Sequence, residues 1–99
     1  MANTKPILPG KILEKDFLIP RGISAYRLAQ DIKISATRVS EILKGKRGIT
    51  VGTALRLSRY FGNSAEFWVG IQAAYEIKEE RQKLKAQLAE IRPLKKTKA

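Results

Sequence analysis

The 99-residue chain contains no cysteine and no histidine. Without thiols there is neither a disulfide framework nor a thiolate to hold a metal or attack a substrate. Without imidazole, the usual zinc ligand and the usual general base near neutral pH are missing too. The nine acidic residues, Asp31 and Glu41 among them, are scattered and show none of the pairing that carboxylate catalysis needs. These absences predict a protein that is not an enzyme and carries no metal and no cofactor. No apolar run approaches the roughly 18 residues of a membrane-spanning helix, and the opening MANTKPILPG lacks the apolar stretch of a secretory signal. The expectation is a cytoplasmic protein with no membrane partner.

Basic charge, by contrast, is abundant. Twenty Lys and Arg against nine Asp and Glu leave +11 on a small chain, and such a surface seeks a polyanion. Nucleic acid fits best, because releasing counterions from phosphates favours binding before any sequence is read. With 43% hydrophobic residues there is enough apolar material for one modest core.

Glycine and proline cut the chain at Pro9-Gly10, Pro20-Arg21-Gly22, Gly45 to Gly48, Gly62 and Pro93 into pieces of helical length. Ile12, Leu13 and Phe17 share a helical face and predict a first helix over roughly 9–18, with Pro9 in its first turn. Ser24 caps a second that ends near Lys33, and Ser35 caps a third with Val39, Ile42 and Leu43 at three- and four-residue spacing. Thr50 opens a fourth, closed by Gly62, and Ser64 opens a fifth, the longest, reaching towards Ile91. The predicted class is all-α, a five-helix domain with an extended C-terminal helix. Its divisions are an N-terminal arm over 1–8, the domain over 9–77, and a charged helical extension and basic tail over 78–99, disordered past Pro93.

The stretch AYRLAQDIKISATRVSEILK, residues 25–44, carries the functional signal. Its fifth place is the small Ala29, and Leu28, Ile32, Ile34, Val39 and Ile42 are apolar. Two short helices that cross steeply need a small side chain where they approach and apolar residues in their shared core, which is the helix-turn-helix pattern. The ninth place, usually glycine, is Lys33, so the turn is expected to be altered or strained.

On the third helix the residues left facing outward are Ser35, Ala36, Thr37, Arg38, Ser40, Glu41 and Lys44, types suited to the major groove. Ala36 and Thr37 suit a thymine methyl, Arg38 a guanine edge or a phosphate, and Ser40 or Lys44 the DNA backbone. Lys46 and Arg47, just beyond the helix, are assigned to phosphates. Glu41 has three open roles: accepting from a cytosine amino group, pairing with a neighbour such as Lys44, or sitting in solvent, the last being favoured. Residues 24–48 hold six basic and two acidic side chains, so the charge concentrates where the motif lies.

These blocks, in this order, resemble one family. PGKIL, ISAYRLA, KGKRGIT, TALRLSRYFG and NSAEFW followed by Gln72 and Tyr75 are similar to the HigA antitoxins, a branch of the lambda-repressor-like helix-turn-helix proteins, over about residues 9–77. The chain departs from that family at Lys33 and in its longer, more basic end. The resemblance implies a dimeric antitoxin of a type II toxin-antitoxin system. Such a protein neutralises a HigB-like mRNA endonuclease toxin and represses its own operon, with Thr37, Arg38 and Lys46 where relatives touch operator DNA. Phe67, Trp68, Ile71 and Tyr75 read as core, while Ala74, Ile77, Arg81, Leu84, Leu88 and Ile91 form a short heptad-like seam open to a dimer contact or to a single amphipathic helix. Two other functions fit the residues: a stand-alone repressor, and a non-specific basic binder of nucleic acid, for which +11 would suffice.

Overall fold

The computed structural model describes residues 7–95. Most of the predicted N-terminal arm, residues 1–6, and the end of the predicted basic tail, residues 96–99, lie outside the described residues. Among the described residues there are six helices and no strand, and none of those helices is long and apolar enough to cross a membrane.

The first helix, α1, runs without interruption from 9 to 21, further than its apolar pattern predicts. It is α-helical over Pro9–Ile12, π-helical over Leu13–Leu18 and α-helical again over Ile19–Arg21. Proline at position 20 was expected to end it, because the ring removes an N–H and leaves a carbonyl one turn back without a donor. The Arg21 side chain supplies that donor: its guanidinium bonds the carbonyl oxygens of Asp16 (3.4 Å) and Phe17 (3.1 Å). It also lies over the rings of Phe17 and Phe61, 5.3 and 5.4 Å from their centroids. Gly22, at φ 64°, then closes the helix.

The remaining starts follow the sequence closely. Helices α2 (Ala25–Ile32), α3 (Ala36–Leu43), α4 (Val51–Phe61) and α5 (Ala65–Lys83) are each capped by the hydroxyl of the preceding residue. Ser24, Ser35, Thr50 and Ser64 accept from the amides of Arg27, Arg38, Thr53 and Phe67 at 3.0 to 3.2 Å.

Leu13, Leu28, Ile32, Val39, Ile42, Leu57 and Trp68 build the core. Trp68 is fully buried, and its indole N–H donates to the Asn63 side chain at 2.9 Å. Phe17 and Phe61 stack around it with centroids 4.7 and 6.1 Å away. Helix α1 crosses α3 so closely that a Cβ on Gly10 would lie 2.1 Å from the carbonyl oxygen of Ile42. Only glycine permits that approach.

The predicted single C-terminal helix is corrected to two. Helix α5 ends at Lys83, Leu84 leaves helical geometry (φ −96°, ψ 9°), and a short α6 follows over Lys85–Ala89. Past Gln72 no described residue is buried, and a helix with no core beneath it keeps little beyond its marginal intrinsic stability.

Candidate nucleic-acid interface

Helix α3 lies between α1 and α2 and turns Val39 and Ile42 into the core. That anchoring leaves Ser35, Ala36, Thr37 and Arg38 exposed at its start and Lys44 exposed at its end. The side chains of Thr37, Arg38, Lys44 and Lys46 have no protein partner among the described residues, so their polar atoms remain available to a ligand. Of the other predicted residues, Ala36 is exposed, Ser35, Glu41 and Arg47 have partners within the protein, and Ser40 is turned aside. The Ser35 hydroxyl is occupied as the cap of α3. Ser40 is half-buried and lines a groove with Lys11, Glu14 and Ala25, at the α1 side of the helix rather than on its outward face.

Glu41, partly exposed, neither stands alone in solvent nor pairs with Lys44. Its carboxylate accepts from Nε of Arg47 at 2.9 Å, six residues on. The main chain makes this possible: the amides of Lys46 and Arg47 both bond the Glu41 carbonyl, at 2.8 and 3.3 Å, folding the loop back over the end of α3. Gly45 turns that corner at φ 80° against the side chain of Leu8. Arg47, predicted as a phosphate contact, is therefore partly neutralised within the protein, while Lys46 keeps its full charge outward.

The far end of this loop is held from the other side of the molecule. Ile49 is buried, and its amide donates to Oε1 of Gln72 at 2.8 Å. Nε2 of Gln72 donates to Glu76 at 2.9 Å, and a Cβ on Gly48 would meet the same amide nitrogen at 2.7 Å. The loop bearing Lys46 and Arg47 is thus pinned to α3 at one end and to α5 at the other. Sequence reasoning placed Gln72 only within a family block. The legible signal is Gln72 as the one polar side chain in the run from Phe67 to Ala74, one turn after Trp68.

The tight turn keeps its helix-turn-helix form in spite of Lys33. That residue takes up the left-handed conformation, φ 66° and ψ 44°, that glycine would adopt most readily. Beside it Tyr60 donates its hydroxyl to the Asp31 carboxylate, which also accepts from Arg27 at 3.3 Å. The Asp31 hydrogen bond, with partial burial and the negative charge of Asp31, raises the Tyr60 hydroxyl above the ordinary tyrosine range.

Comparisons with known proteins agree with this geometry. The family model HTH_3, helix-turn-helix, matches residues 15–68. Virulence-associated protein I of Dichelobacter nodosus is 47% identical over 77 residues, covering 77% of this chain and 71% of the relative. Antitoxin HigA-1 of Vibrio cholerae is 31% identical over 96 residues, covering 95% of this chain and 90% of the relative. The solved structure of Pseudomonas aeruginosa antitoxin HigA with the higBA promoter superposes with a TM-score of 0.87 at 41% identity, covering 91% of this chain and 99% of that one. With its capped helix pair, left-handed turn and these matches along most of its length, the chain belongs to the HigA antitoxin family of helix-turn-helix regulators, which are not enzymes.

Proposed function

We propose that this protein is an operator-binding antitoxin in which α3 enters the major groove and reads bases with Ala36, Thr37 and Arg38. Lys44 and Lys46 neutralise flanking phosphates, and Arg47 joins them once Glu41 releases it or shares it. The observation that carries this reading is the free polar edge of α3 beside a basic loop pinned at both ends: such an edge is pre-organised for a fixed surface. That a solved relative is described with its own promoter supports the choice of DNA.

Its partner in the cytoplasm is a HigB-like toxin, an mRNA endonuclease whose arrest of growth this chain relieves. The family likeness supports that assignment. The protein acts on DNA as a homodimer, for which the exposed apolar side chains of Ile77, Leu84, Leu88 and Ile91 supply material.

The test has two arms. Binding to the DNA upstream of the gene is compared with random DNA across a salt series; a preference that survives rising salt supports the operator reading, whereas equal salt-sensitive loss on both sequences leaves only a non-specific basic binder. Co-expression with the adjacent open reading frame is the second arm. Growth arrest relieved by this protein supports neutralisation, and no arrest, or arrest without rescue, leaves a stand-alone repressor.

A further inference from the structure

The turn between α2 and α3 rests on a residue type that disfavours it. Lys33 is the one non-glycine residue with positive φ among the described residues, a conformation in which Cβ crowds the neighbouring carbonyl. Helix α2 closes there with the amides of both Lys33 and Ile34 bonding the carbonyl of Ala29, which leaves later carbonyls outside the helical ladder.

Two of those carbonyls are taken by one side chain from α4. Nη1 of Arg56 donates to the Ile32 carbonyl at 2.7 Å and, more weakly, to the Lys33 carbonyl at 3.4 Å. The guanidinium stands at the C-terminal end of α2, where the helix dipole favours a cation. One turn further along α4, Tyr60 holds Asp31 at the same helix end. Helix α4 thus grips the turn through two side chains, and only the arginine reaches the left-handed residue itself.

We propose that Arg56 is the positioning residue of the reading helix: by bridging the Ile32 and Lys33 carbonyls, which lie on either side of the Lys33 Cα, it holds the left-handed turn in place and does for a lysine what backbone freedom does for a glycine. The consequence for DNA rests on the reading above that α3 enters the groove. Ser35, the cap of α3, is only two residues past Lys33, so a turn that relaxes shifts the start of the helix where Ala36, Thr37 and Arg38 project.

The experiment compares the wild type with Arg56→Ala, Lys33→Gly and the double variant, using two readouts. In the DNA-free protein, NMR reports the sign of φ at residue 33 from the intraresidue amide-to-Hα distance. Operator against random-DNA affinity is measured well below the unfolding temperature. Arg56→Ala is expected to shift residue 33 out of the left-handed conformation and to lower operator preference by about tenfold, the size of coupling seen between contacting groups. Lys33→Gly in that background is expected to recover most of the preference while changing the wild type little. Arg56→Met, which keeps much of the side chain's bulk but has no N–H donor, should lose it as Arg56→Ala does and serves if Arg56→Ala fails to fold.

Residue 33 staying left-handed in both Arg56 variants overturns the proposal. So does an equal loss on operator and random DNA that Lys33→Gly does not rescue, with a shallower salt dependence; that result assigns Arg56 to a phosphate. Should the wild type show no operator preference, the groove reading fails, and the NMR readout still decides whether Arg56 holds the turn.

Discussion

The amide of Ile49 and the side-chain oxygen of Gln72 meet at 2.8 Å across 23 residues of sequence, in the buried seam between the basic loop and α5. Replacing Gln72 by Met keeps much of the volume but leaves the Ile49 N–H without an acceptor. An unsatisfied buried donor costs roughly 1–3 kcal/mol. Urea denaturation is expected to show a loss in that range, and amide exchange to quicken at Ile49 before it quickens in the α2 core. Unchanged exchange at Ile49 would show that the loop holds itself.

Arg38→Ala and Thr37→Ala together are expected to erase the preference for operator over random DNA while shifting stability by no more than about 0.5 kcal/mol, since both side chains are exposed and unpartnered. Lys46→Ala behaves differently. It should weaken binding to every sequence alike and reduce the salt slope by about 0.9. A loss from Lys46→Ala confined to the operator would place that lysine on a base.

The Glu41–Arg47 pair predicts a gain of affinity. Glu41→Gln removes a negative charge beside the interface and releases the guanidinium to phosphates, so affinity for random DNA is expected to rise at low salt. Protein stability should fall by no more than about 1 kcal/mol, as is usual for exposed pairs. Weaker binding by Glu41→Gln would instead identify Glu41 as a base-reading acceptor.

Gly10→Ala tests the crossing of α1 over α3. The added methyl would have to occupy space 2.1 Å from the Ile42 carbonyl oxygen, and the neighbour is main chain, which cannot swing away. Overpacking of this kind costs about 1–3 kcal/mol. Thermal melting is expected to show that loss together with weaker operator binding, because the displaced element is the helix proposed to enter the groove.

Tyr60 predicts an alkaline limit. Its hydroxyl is held neutral in the folded state, mainly by donating to Asp31, so its folded pKa lies above the ordinary 10.0. A raised folded pKa means that the contribution is fully present below the unfolded value and is lost as pH climbs through the folded one. Stability measured by denaturation should therefore begin to fall from about pH 10, and more steeply in the wild type than in Tyr60→Phe. Parallel curves for the two proteins would remove Tyr60 from the account.

Much of this molecule is local and therefore visible in the chain. Ser24, Ser35, Thr50 and Ser64 cap helices because each bonds an amide three residues away, and the periodic apolar residues of α2 and α3 identify the motif because helical spacing alone puts them on one face. The outward edge of α3, with Thr37 and Arg38, follows from the same periodicity.

What depends on two elements meeting was decided only in three dimensions. Arg21, which bonds carbonyls of its own helix past Pro20, also lies over the ring of Phe61 on α4. The loop that doubles back over α3 brings Arg47 to Glu41. Gln72 and Arg56 find their amide and carbonyl partners 23 and 24 residues away because α5 and α4 pack where they do. Periodicity tells which face of a helix is buried, but a polar side chain's partner depends on the angle and distance at which another helix crosses it, and those are set by the packing of the whole core.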